Sequence, residues 1–265
     1  GKGEVERLIG NRAHRDLWAA TAGGVGYLLL AIGAILLSAL ESYVSAIWPA
    51  NALLLALIMR IEKRRWPIYG AAAFVGGLFA NFAMFGVSVA PLLYGLANMG
   101  EVFLAALLLH AAKVYGNPLQ NIRSVIRFAI FGAIVAPALS AFAGAAIAQH
   151  LYGQPFWLSY GTWYIADALG LLIFTPLFSG ILSGEMSRWL RDMDRRARIV
   201  AAAIFLIVIL AALFTFLIAG YPMLFLMTAP VILAPFRLGQ FGTKLSLIIV
   251  ALIGVIGCLL LAFHS

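Results

Sequence analysis

The chain has 265 residues, of which 64% are hydrophobic and 11% charged, with a mean hydropathy of +1.02 and a formal net charge of +8. A soluble domain carries about a quarter charged residues, so this composition excludes one and assigns a polytopic membrane protein. The apolar stretches are continuous rather than alternating, which also excludes an outer-membrane-type barrel.

The chain opens on GKGEVERLIGNRAHRD, residues 1–16. This segment is polar and mixed in charge and lacks the basic, apolar and small-residue order of a signal peptide. It is expected to be a cytoplasmic N-terminal segment, followed by an integral membrane domain over 17–262. Apolar runs then fall at 17–38, 45–60, 67–86, 89–112, 122–149, 157–182, 198–219, 223–236 and 240–262. The expected fold is all-α, a transmembrane helical bundle with nine spans. The second and eighth runs are short for a crossing, and the alternative is eight spans plus a re-entrant segment.

Basic residues orient the bundle. With the N-terminus in the cytoplasm and nine crossings, all 18 Lys and Arg fall on the inner side, and the outer loops carry only Glu41. This is a positive-inside pattern. It accounts for the charge of +8 through anionic lipid headgroups and gives no reason to invoke nucleic acid. Counting the eighth run as a crossing keeps Arg237 and Lys244 inside. The polar stretch GEMSRWLRDMDRRAR, 184–198, reads as an inner loop with a short interfacial helix.

Trp48-Pro49 and Trp66-Pro67 each read as a helix start, because a first-turn proline gives up an N–H that has no helical partner. Pro91, Pro137 and Pro176 are expected to kink or end helices. Gly76-Gly77 and SAFAGAAIA, 140–148, read as close helix packing.

Only Glu101 and Asp167 are acids well inside the spans, both near mid-depth, and no Lys or Arg shares their level in this topology. Their partners are then neutral donors or a bound cation, or the carboxyls are protonated. Asn98 precedes Glu101 by three residues and shares its helix face. Asn51, Asn81 and Tyr164 fall in the outer halves of their spans, and Trp163 lies next to Asp167. The competing reading is purely structural: buried Asn and Asp side chains join helices by hydrogen bonds worth roughly 0.6–2 kcal/mol each.

Catalytic signatures are missing. The four histidines are scattered, none in HExxH spacing, and the single cysteine, Cys258, rules out a disulfide within the chain. No cofactor is expected.

Four blocks in order carry a family resemblance: IWPANALLLALIMRIEKRRWPIYGAAAFVGGLFAN at 47–81, LANMGEVFLAALLL at 96–109, WYIADALGLLIFTPL at 163–177 and APVILAPFRLGQFGTKLSL at 229–247. The chain resembles the MASE1 family, membrane sensor domains at the N-terminus of bacterial signalling proteins. Residues 115–137 resemble the version fused to diguanylate cyclases. The resemblance implies an inner-membrane, multi-pass sensor with no recognised cofactor. It also implies a cytoplasmic output module downstream, a GGDEF cyclase making cyclic di-GMP or a histidine kinase, and homodimerisation through the full-length protein. Residues 263–265 would then precede a further span. Asn51 departs from the small residue common after Trp-Pro in the family.

The reading is therefore a non-enzymatic input domain that takes a small molecule, ion, lipid or partner protein. Its candidate ligand or signalling residues are Asp167, Glu101, Asn98, Asn51, Asn81, Trp48, Trp163, Tyr164 and, from the Arg-hydrophobe-Gly turn of the fourth block, Arg237. The alternatives are a transporter or channel coupled to the mid-depth carboxylates, and a passive anchor and dimerisation platform. The sequence shows no paired broken-helix halves of the transporter kind.

Overall fold

Both Trp-Pro pairs begin helices in the computed structural model, which describes residues 2–38, 47–219 and 227–262. Glu41 and the end of the chain from 263 lie outside the described residues. The elements in chain order are α1 (Lys2–Ser38), α2 (Pro49–Ile58), α3 (Trp66–Phe85), α4 (Ala90–Ala111), α5 (Ile122–Arg127), a π-helical stretch Phe128–Val135, and α6 (Ala136–Tyr152). They continue with α7 (Phe156–Leu182), α8 (Glu185–Asp192), α9 (Arg195–Leu213) running into a second π stretch Phe214–Ala219, and α10 (Thr228–Ala262). Helix α1 extends through the polar segment 2–16, so that segment is not a separate element.

Seven helical stretches among the described residues are long and apolar enough to cross a membrane: His14–Leu37, Lys63–Phe85, Ala90–Ala111, Ile122–Tyr152, Phe156–Leu182, Arg195–Phe216 and Pro230–Gly257. The other two apolar runs take different forms. The run 45–60 becomes a helix of only 10 residues, about 15 Å long against a hydrocarbon layer of about 30 Å. Of the run 223–236, residues 223–226 lie outside the described residues, and the remainder leads into α10, which is broken at Gly239 (φ 67, ψ −170). Only glycine adopts this left-handed conformation without penalty.

Helix α2 is the centre of the main core. Eight of its 10 residues are buried, as expected of a helix that is apolar on every side. It packs on α7, α1, α4 and α3. Around it, α1 lies on α3, and α6 on α7 and α4. The α1–α3 contact is close because both faces lack a side chain. A Cβ on Gly24 would stand 2.6 Å from the Ala72 carbonyl oxygen, and one on Gly76 would strike the Gly24 carbonyl. A second, smaller core joins Ala201, Ile204 and Val208 of α9 to Ala234 and Leu238 of α10.

Pro91 and Pro137 sit in the first turns of α4 and α6, and Pro176 lies inside α7. Helices α5 and α6 are continuous through the π stretch that immediately precedes Pro137. A proline ring clashes with the carbonyl four residues earlier, and one wider turn relieves that clash.

Candidate functional site

Just before α2 the chain is not helical. Trp48 is extended (φ −122, ψ 84), and its amide donates to the Ala166 carbonyl of α7 at 3.2 Å. Non-helical backbone at this depth persists only where protein encloses it. Gly170 makes the enclosure possible, since a Cβ there would run into the Trp48 carbonyl. The ADALG sequence at 166–170 therefore does two things at once: it offers a carbonyl and clears the space beside it. Pro49 then starts α2, with no side-chain cap on its first turn. The positive end of this short helix dipole is thereby set beside Asp167, the next residue after Ala166.

Asn51 is fully buried in the first turn of α2 and makes three interhelical hydrogen bonds. Its Oδ1 accepts from the Tyr27 hydroxyl of α1 at 2.7 Å. Its Nδ2 donates to Asn98 Oδ1 at 3.0 Å and to Glu101 Oε1 at 2.9 Å, both on α4. Both donor hydrogens of the Asn51 amide and its acceptor oxygen are therefore engaged. Glu101 is 1% exposed, and its Oε2 accepts from the Ser140 hydroxyl of α6. The Ser140 hydroxyl also lies 3.2 Å from the Pro137 carbonyl. The Trp48 indole N–H reaches the Tyr27 hydroxyl at 3.5 Å.

Asp167 closes the cluster from α7. It is 3% exposed, and its carboxyl faces that of Glu101. The Trp163 indole lies against it, seated where Gly144 of α6 leaves room; a Cβ on Gly144 would overlap the indole ring. Asp167 Oδ2 and Trp163 Nε1 are both buried without a partner in hydrogen-bond geometry. The described ion pairs (Arg64–Glu62, Arg65–Asp16 and Lys244–Glu185) all lie elsewhere. Glu101 and Asp167 thus form an acceptor-rich centre with no fixed cation among the described residues. A species that brings a donor hydrogen or a positive charge would be matched there.

Five helices meet at this point: α1, α2, α4, α6 and α7. Of the sequence candidates, Asp167, Glu101, Asn98, Asn51, Trp48 and Trp163 come together. Asn81 does not, because its amide is turned back on its own helix and donates to the Gly77 carbonyl at 2.8 Å. Tyr164 stacks on Tyr160, with centroids 6.3 Å apart, rather than joining the hydrogen-bonded cluster. Arg237 is exposed beside the break at Gly239. Tyr27 and Ser140 belong to the cluster and were not singled out by sequence. Tyr27 is a lone hydroxyl in an apolar run, and Ser140 opens the small-residue stretch, which by itself signals only close packing.

A groove of about 430 Å³ runs beside the cluster between α4 and α6, with Glu101 and Ser140 in its lining. At the far end of α7, α8 forms a separate contact with α10. Lys244 Nζ is 2.6 Å from Glu185 Oε2, and the Trp189 indole donates to the Leu238 carbonyl at 2.8 Å, next to the break at Gly239. The 184–198 stretch thus contains the expected short helix, and α8 ties α7 to α10.

No solved structure matches the chain. A probable diguanylate cyclase of Escherichia coli (strain K12), DgcE, is 25% identical over 141 residues. The matched region is 53% of this chain and 12% of that protein, so the chain spans only a small part of its relative's length. The MASE1 family model matches residues 18–262, nearly the whole chain. With four blocks in order, seven long apolar helices and that match, the chain belongs to the MASE1 family, and is a non-catalytic sensor module, multi-pass in the bacterial inner membrane.

Proposed function

We propose that the Glu101–Asp167 centre is the input site of this sensor, and that its occupancy regulates a cytoplasmic output module downstream, such as a diguanylate cyclase. The observation that carries this reading is the buried Asp167 carboxyl, which faces Glu101 and leaves its Oδ2 unpartnered where five helices converge. A species bound there touches, through Asn51, the helix on which α1, α4 and α7 pack. Binding shifts a packing equilibrium only by the difference in affinity for the two packings, and a site shared by five helices has many contacts through which to differ. The likeness to a probable diguanylate cyclase supports that output.

The proposed topology has the N-terminus in the cytoplasm and nine crossings. The second crossing then comprises the non-helical stretch at 47–48 followed by α2, and the eighth includes the part of α10 before Gly239. The Arg65–Asp16 pair, which joins the start of α3 to α1, supports one common inner end, as does the α8 contact at Gly239. Arg60, just after α2, and Arg237, at the end of the short helix before Gly239, fit the same side. In this reading residues 1–16 are cytoplasmic, and the full-length protein acts as a homodimer.

The test is cyclic di-GMP output of the full-length parent carrying Glu101→Gln or Asp167→Asn. Altered basal output or altered response is expected in both. Unchanged output and response in both variants sink the site. One observation favours a second reading, transport: α2 is a half-length helix with an unwound lead-in at the acidic centre, a form that transporters use for ion sites. Proton or sodium flux in proteoliposomes separates the two, since the sensor reading expects none above an empty-vesicle control.

A further inference from the structure

The groove between α4 and α6 differs from an ordinary lipid-facing crevice in one respect: its floor is polar. Its walls include Leu93, Ala97, Gly100 and Ala143, and its floor is the Ser140–Glu101 hydrogen bond. Leu96 and Leu139 at its edges are 60% and 53% exposed, which in a spanning helix means facing lipid. Glu101 sits near the middle of the 22-residue α4, so the floor is deep in the hydrocarbon layer. The volume of about 430 Å³ falls in the range of small-molecule sites, ~300–1,000 Å³.

We propose that this groove binds a membrane-dissolved amphiphile with a neutral hydroxyl head and an apolar tail, entering sideways from the bilayer. The proposal rests on the reading of Glu101 as part of the input site and names the ligand class for it.

Three observations select that class. A phospholipid is excluded because its charged headgroup at this depth is penalised by several kcal/mol. An alkane has no reason to prefer the groove, because lipid tails are as apolar as the groove's Leu and Ala walls. The preference must therefore come from the head. A hydroxyl is both donor and acceptor, so it can insert between Ser140 and Glu101, donating to Oε2 and accepting from Ser140. A carbonyl can only accept. If Ser140 is displaced instead, its hydrogen turns to the Pro137 carbonyl, 3.2 Å away, and is not orphaned. Long-chain alcohols and quinols share this head chemistry.

Gly100 gives a direct way to close the groove, because a Cβ added there meets nothing within 4 Å. The experiment uses this chain in lipid nanodiscs with hexadecanol bearing a diazirine in its tail. Photolabelled residues are mapped by mass spectrometry. Labelling is expected to concentrate on groove residues of α4 and α6. Excess unlabelled hexadecanol should compete about tenfold better than hexadecane, the equivalent of one hydrogen bond in an apolar medium. Competition by a reduced quinone as strong as that by hexadecanol assigns the quinol as a source, and weaker competition assigns the alkyl alcohol. Gly100→Phe should abolish groove labelling while leaving the thermal unfolding midpoint unchanged. Should Gly100→Phe fail to fold, Ala143→Phe plugs the groove from the α6 wall. Labelling spread evenly over the lipid-facing helices overturns the proposal, as do equal competition by hexadecane and labelling that survives both plugs. The readout needs no output module. Its failure therefore leaves the cyclase assay of Glu101→Gln and Asp167→Asn free to succeed, and the reverse also holds.

Discussion

Two acidic residues in this bundle, one buried and one half-buried, are handled in opposite ways. Glu101 lies in the middle of α4 and is met by neutral donors from α2 and α6. Glu185 lies at the start of α8 and is met by Lys244, whose side chain is 5% exposed. The first arrangement leaves one carboxylate oxygen, Asp167 Oδ2, without a partner. The second ends in a closed pair, with Trp189 fixing α8 to the Leu238 carbonyl one residue before the break. The difference separates a centre that can still accept something from a contact that is complete. Completeness suits a joint that holds α7, α8 and α10 in register, and an open acceptor suits a site that reads its surroundings.

The sharpest way to break the comparison is at the closed pair. Glu185→Ala leaves the Lys244 ammonium buried without a counter-charge, and an unmatched buried charge costs about 3 kcal/mol. The loss is expected in thermal or denaturant unfolding of the chain in nanodiscs. Adding Lys244→Met to the same chain should recover most of it. A loss near zero would mean that water reaches the pair and that it behaves as an exposed ion pair.

Next in size is Asn51→Leu. The two side chains share heavy-atom count and branching, so the change removes three interhelical hydrogen bonds without leaving a cavity. At roughly 0.6 kcal/mol for each bond inside a membrane bundle, the loss is about 2 kcal/mol. Asn81→Leu is the matched control. Its amide serves only its own helix, so the expected change is within about 0.5 kcal/mol. Equal losses for the two asparagines would erase the distinction between the cluster and ordinary polar residues.

That pair of asparagines also shows how far the sequence could be read. Glu101 and Asn98 are three residues apart on one helix, so a shared face follows from helix geometry alone. That Asn51 points at them depends on how α2 is rotated and tilted, which the sequence between the two does not encode. Asn81 looked equivalent because depth was legible and rotation was not. Tyr27 and Ser140 escaped for a related reason: one hydroxyl in an apolar run breaks no pattern. Both Trp-Pro helix starts were legible from proline's missing N–H. The half-length form of α2 was not, because the run 45–60 is apolar apart from Ser45, Asn51 and Arg60, and its unwinding at Trp48 depends on the distant Ala166 carbonyl and the bare Gly170. The break at Gly239, by contrast, falls on the Arg-hydrophobe-Gly turn of the fourth block, so its place was marked in the sequence.

Gly170→Ala tests that tertiary cause directly. The added methyl meets the Trp48 carbonyl, so the unwound lead-in must move off α7. Overpacking of this kind costs about 1.5 kcal/mol. The Trp48 amide, now bonded to Ala166, should exchange with solvent deuterium faster, while amides in the middle of α9 stay as they were. Unchanged Trp48 protection would mean that α7 does not hold the lead-in in place.

The smallest expected effect is the most diagnostic for the open centre. Ser140→Ala removes one donor from Glu101 Oε2 but leaves the Asn51 bond to Oε1 in place. Alanine also fits where the serine packs. The stability change should be about 0.6 kcal/mol, the average for a single interhelical bond in a membrane bundle. If Glu101 serves only to join helices, the response of the full-length protein should track this small loss and hardly change. If Glu101 is part of an input site, removing its α6 partner alters what the carboxyl offers a ligand, and the response should change far more than stability. Measuring both on the same variant separates helix joining from sensing, because only the second role lets a minor loss of stability accompany a large change in output.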